Sequence, residues 1–163
     1  DDPVYRSGAT PREVVCVTGT LGRSAAALEL FDQGAVERAN ELFQFTPRVT
    51  AGRRLADSAT AMMDSSDGLA RSLHQLAAAS DCGFAIERDS MPIDQAVDAV
   101  EDRWEAAVHF GEDFELVCTL PEPMVAETRA ELAVPLTVIG RVTDAKADVT
   151  VDGKSLPNRG YTH

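Results

Sequence analysis

With 27 acidic against 15 basic residues, this 163-residue chain carries a formal net charge of -12 and so repels nucleic acid and anionic membrane surfaces. Its 44% hydrophobic content suffices for one domain with a sizeable core, and no apolar run approaches the roughly 20 residues that cross a bilayer. A phosphate-bearing ligand would need local help, from a metal ion or from helix N-termini.

The chain opens on "DDPVYRSG", with neither an initiator Met nor a signal-peptide pattern, as expected for a fragment of a longer, cytoplasmic protein. Lys146 and Lys154 are the only lysines, and such an Arg-rich, acidic composition suits a halophilic protein. Next comes "VVCVT" (Val14 to Thr18), a β-branched run that predicts a strand. It leads through "GTLGRS" into a helix whose Ala27, Leu28 and Phe31 share one face. The loop resembles a phosphate cradle, yet it matches neither the dinucleotide fingerprint nor the P-loop, which favours a plain strand-to-helix turn. Further helices are expected from about Val36 to Phe43 and, after the "TPRV" break, from about Ala51 to Ser58.

The segment "MDSSDGLARSLHQL" (Met63 to Leu76) places Asp64, Ser65, Ser66 and Asp67 before a helix with Leu69, Leu73, Leu76 and Ala77 at helical spacing. Two readings of it stand side by side. In one, Ser65 or Ser66 is the N-cap and Asp67, in the first turn, complements the macrodipole. In the other, Asp64 and Asp67, three apart, share a hard cation such as Mg²⁺ while Ser66 donates to a phosphate oxygen beside it.

Downstream, "GFAIERD" (83–89), "FELVCTL" (114–120), "LTVIGRV" (136–142) and "DVTVDG" (148–153) read as strands. A helix near Pro92 to Val108 and another opened by "PEPMVAETRAEL" separate them. "GEDFEL" places Glu112 in a turn before a strand on which Phe114, Leu116 and Cys118 share one face and Glu115 points to the other. A solvated acidic turn is the plainer reading of that cluster. Tyr161 follows a glycine near the C-terminus and suggests packing. His74, His109 and His163 lack metal-ligand spacing, and Cys16, Cys82 and Cys118 read as buried thiols. Irregularly alternating strands and helices imply a layered α/β (α+β) domain with a mixed sheet covered by helices.

Taken in order, "RSGATP", "VTGTLGRSAAALELF", "TPRVTAGRRL", "MDSSDGLARSLHQLAAASDCGFAI", "GEDFELVCTL", "VIGRV" and "RGYTH" resemble the C-terminal half of the thiamine-monophosphate kinases, in the AIR-synthetase-related superfamily. That resemblance implies transfer of the γ-phosphoryl of ATP to thiamine monophosphate with Mg²⁺. By it, Asp64 and Asp67 would be Mg²⁺ ligands and Ser66 an ATP-site residue, Glu112 would bind thiamine, and Tyr161 would pack against it. It also implies that residues 1–163 form one domain of two, inactive alone, with an N-terminal ATP-binding domain and a homodimer interface elsewhere. The sequence departs from the family at Phe110, where a glycine is usual, and at His163, where the family often continues with an aromatic. Another ATP-dependent reaction of the superfamily, and a non-catalytic thiamine-phosphate-binding or protein-interaction module, remain alternatives.

Overall fold

A computed structural model describes residues 3–161; His163 lies outside them. Seven strands form one mixed sheet: β1 (Val14–Thr18), β2 (Ala61–Asp64), β3 (Gly83–Ile86), β4 (Leu116–Leu120), β5 (Leu136–Thr143), β6 (Val149–Val151) and β7 (Lys154–Ser155). They lie in the order β2-β4-β1-β5-β3-β6-β7, and every pairing is antiparallel except β3 with β6.

The apolar run of β1 is explained by burial on both faces. Val15 and Val17 join Leu69, Leu73, Leu76, Phe84 and Ile139 on one side, while Val14 and Cys16 join Leu55, Cys118, Leu120 and Leu136 on the other. Helix α4 (Leu69–Ser80) covers the first side with Leu69, Leu73, Leu76 and Ala77, all buried as their spacing predicts. Each buried leucine contributes roughly 2 kcal/mol. Helices α3 (Val49–Leu55) and α6 (Val125–Glu131) cover the second. Helices α1 (Arg23–Asp32) and α2 (Val36–Phe43) pack on each other beside the sheet, through the stacked rings of Phe31 and Phe43. The layered mixed-sheet expectation holds. The three cysteines are buried and free, and burial pushes the Cys16 thiol up to about 12.

Three expectations are corrected. Neither Ser65 nor Ser66 caps α4: its N-cap is Gly68, at φ 101°, and no acidic residue lies in its first turn. A Cβ on Gly68 would lie 2.9 Å from the His109 carbonyl oxygen, so close approach of a second loop, not capping chemistry, sets the helix start. Residues 92–108 do not form one helix. They divide into a 3₁₀ turn (Gln95–Ala99), a single α turn α5 (Arg103–Glu105) whose N-cap is the Asp102 carboxylate, and a π turn (Ala106–Phe110). Finally, β4 starts at Leu116 and not at Phe114. Glu112 and Phe114 have φ of 58° and 52°, which an extended strand excludes.

Candidate functional site

Three loops distant in sequence meet through their main chains. The Ser65 amide donates to the Glu115 carbonyl at 2.8 Å, the Glu112 amide to the Ser66 carbonyl at 2.8 Å, and the Tyr161 amide to the Asp67 carbonyl at 3.0 Å. The Arg71 guanidinium reaches back from α4 to the Tyr161 carbonyl at 2.8 Å. This junction needs Gly111: its φ is 91°, and a Cβ there would lie 2.6 Å from the Ser66 oxygen and 2.8 Å from the Gly68 nitrogen. Residues 64–68, 111–115 and 160–161 therefore form one unit.

On one side of the unit opens a groove of about 640 Å³. Leu28, Phe110 and Tyr161 supply exposed apolar surface to its walls, and Glu29, Asp32, Asp102, Glu105 and Glu112 supply carboxylates. Such a groove suits a cationic, aromatic ligand, because carboxylates neutralise its charge and rings pack on its faces. Both residues expected to meet a substrate, Glu112 and Tyr161, lie on this one groove. So does Phe110.

Asp64 opens onto a second groove of about 530 Å³ with Tyr5, Arg6, Ser7, Met62 and Met63. The Asp64 side chain is exposed and carries no hydrogen bond or ion pair among the described residues. Asp67 and Ser66 are partly buried in the turn that follows, whereas Ser65 points inward and its hydroxyl lacks a hydrogen-bond partner. Sequence reasoning did not assign Arg6. Its only signal was the "RSGATP" run, and β2 had to be paired with residue 5, whose carbonyl accepts from the Met62 amide at 3.0 Å, before Arg6 and Asp64 became neighbours on one groove.

No trio of His, Cys, Asp or Glu able to hold a metal occurs among the described residues. The hard oxygen donors of Asp64 and Asp67 fit Mg²⁺ in the way that ion is usually held, by one or two carboxylates completed by phosphate oxygens and water.

The glycine loop before α1 has a different occupant from phosphate. The Asp113 carboxylate accepts from the Gly22 amide at 2.6 Å and the Ser24 amide at 3.1 Å, so the positive helix terminus is satisfied from within the chain. The plain turn expected there is what is found. Burial pushes the Asp113 pKa from 3.8 up to about 6 against the hydrogen bonds that lower it. A carboxyl that binds its proton more tightly when folded loses stability as pH rises between the two values. Wild type should accordingly lose up to ~3 kcal/mol relative to Asp113→Asn between about pH 4 and pH 6. Urea unfolding of both proteins across that range measures the difference; parallel pH curves would refute it.

Next to it, Glu115 is 2% exposed. Its carboxylate takes a fork from Arg48, at 2.7 Å from Nε and 2.6 Å from Nη2, and a hydrogen bond from Thr18 at 2.6 Å. His109 is buried with Nδ1 3.3 Å from the Arg159 carbonyl, and His74 Nε2 lies 2.8 Å from the Leu156 carbonyl. Both rings thus sit against main-chain carbonyls, and His109 also lines the groove of about 640 Å³.

Comparison with known proteins supplies the context for this geometry. A family model described as AIR synthase related protein, C-terminal domain, matches residues 11–152. The thiamine-monophosphate kinase of Halobacterium salinarum is 57% identical over the whole of this chain, which covers 57% of that protein. Among solved structures, thiamine-monophosphate kinase from Stenotrophomonas maltophilia superimposes with a TM-score of 0.84 at 34% identity, over 94% of this chain and 54% of that one. A structure described as AaThiL complexed with AMPPCP and TMP gives 0.83 at 29%, over 98% and 54%. The chain thus spans little more than half the length of these relatives.

Proposed function

The chain belongs to the AIR synthase related family through that family's C-terminal domain, and from this membership we propose that it is the substrate-binding part of a thiamine-monophosphate kinase. The observation that carries the proposal is the junction of three loops, which sets the acidic, aromatic-lined groove beside the turn bearing Asp64, Ser66 and Asp67. Thiamine has a cationic thiazolium and an aminopyrimidine, and the groove offers both what they need. Glu112 accepts a hydrogen bond from the aminopyrimidine, Tyr161 and Phe110 pack on the rings, and the remaining carboxylates favour the cation.

The reaction transfers the γ-phosphoryl of ATP to the phosphate of thiamine monophosphate, so two anions must meet. Bound Mg²⁺ supplies the charge neutralisation that such a transfer requires. Asp64 and Asp67 hold it, the Ser66 hydroxyl donates to a nucleotide phosphate, and Arg6 adds a fixed positive charge on the Asp64 side. In a chain of net charge -12, Arg6 supplies local attraction that the overall field does not. The rest of the protein supplies the remainder of the ATP site and a homodimer interface. The enzyme works in the cytoplasm, and its acidic, Lys-poor composition suits high salt.

The full-length protein, given ATP, Mg²⁺ and a panel of phosphorylated substrates of the superfamily, should form thiamine diphosphate from thiamine monophosphate and act on no other member. Absence of thiamine diphosphate in that assay would remove this function.

A further inference from the structure

The segment between α2 and α3 touches the acidic loop at two points. The Phe45 ring stacks on the Phe114 ring, with centroids 4.7 Å apart and planes 15° from parallel, and Arg48 forks onto Glu115. What these contacts hold is an unusual backbone: φ is 91° at Gly111, 58° at Glu112 and 52° at Phe114. Left-handed φ is disfavoured for bulky side chains and persists only where surrounding contacts over-determine it.

Each residue from 112 to 115 has its own restraint. The Glu112 amide donates to the Ser66 carbonyl at 2.8 Å and its carbonyl accepts from the Ser24 hydroxyl at 2.7 Å. Asp113 is fixed by the α1 amides and Glu115 by Arg48. Phe114 is met by Phe45. Both rings are on the surface, 36% and 41% exposed, and neither belongs to a buried core cluster. A surface aromatic pair at a strained loop is therefore not explained by the core.

We infer that Phe45 is a positioning residue for Glu112: by stacking on Phe114 it holds the 111–115 loop in its left-handed conformation and keeps the Glu112 carboxylate on the groove wall. The consequence for catalysis rests on Glu112 meeting the substrate, as proposed above.

In the full-length protein, Phe45→Ala should raise KM for thiamine monophosphate about three- to tenfold, the size of a lost aromatic pair. KM for ATP and kcat should stay near wild type. Phe45→Tyr, which keeps the ring, should restore the wild-type KM, and Phe45→Leu, which keeps apolar bulk without the stack, should behave as alanine does. Hydrogen exchange at the Glu112 amide should quicken in Phe45→Ala and Phe45→Leu and return to wild type in Phe45→Tyr. The exchange measurement is independent of substrate identity. If wild type fails to phosphorylate thiamine monophosphate, the functional reading falls while exchange alone decides the positioning role. Unchanged exchange at Glu112 overturns the inference, and so does faster exchange with an unchanged KM in an active enzyme. A lowered thermal midpoint with neither change would make the pair merely structural.

Discussion

Asp67→Asn in the full-length protein should lower kcat for thiamine monophosphate phosphorylation by roughly a hundredfold or more, the scale on which preorganised charge at a reacting centre acts. Its thermal midpoint should stay near wild type. The expectation of an intact fold comes from where the residue sits. Asp67 precedes the Gly68 N-cap of α4, and the first turn of α4 contains no acidic residue, so the carboxylate is not part of the helix cap. One bond between this turn and the C-terminal segment uses the Asp67 main-chain carbonyl, which accepts from the Tyr161 amide, and it survives the substitution. Asparagine keeps the volume and removes the charge that a hard cation requires. Turnover at increasing Mg²⁺ concentration, read with a melting curve, measures the effect. Wild-type turnover at every Mg²⁺ concentration would remove Asp67 from the metal site.

Arg48→Met should destabilise the chain by about 3–5 kcal/mol, because it leaves the buried Glu115 carboxylate without its charge partner. The Thr18 hydroxyl still donates to Glu115, but one neutral hydrogen bond does not replace a bidentate guanidinium. At this chain length the loss corresponds to roughly 10 °C or more in Tm. Arg48→Met combined with Glu115→Leu should recover most of it, since removing both charges also removes the desolvation penalty. Equilibrium unfolding in urea of the two single variants and the double variant closes the cycle. Additive losses would mean that the fork does not couple the two residues.

These expectations draw on different levels of the molecule, and the sequence exposed them unequally. Helix α4 was legible because Leu69, Leu73, Leu76 and Ala77 repeat at the helical period and one face of the helix is buried. The strand Val14–Thr18 was legible because burial on both faces demands a continuous apolar run. The cap of α4 was not: Ser65 and Ser66 have the right chemistry for an N-cap, but the local sequence does not say that the His109 carbonyl crowds the helix start and admits only Gly68. Likewise the 92–108 stretch has apolar residues at helical spacing, yet the Asp102 carboxylate restarts the chain as a new turn.

By itself the sequence determined the strands and helices whose residues bury a periodic face, the plain character of the glycine loop and the burial of the three cysteines. It also drew attention to Asp64, Ser66, Asp67, Glu112 and Tyr161. Only the tertiary structure decided that Glu112 and Tyr161 share a groove, that Arg6 shares another with Asp64, that Asp113 fills the helix terminus before Ser24, and that Arg48 meets Glu115 and Phe45 meets Phe114. The reason is physical. Periodicity and turn chemistry act over a few neighbouring residues, whereas these contacts join residues tens of positions apart, and they exist only once the sheet has brought β2, β4 and the C-terminal segment together.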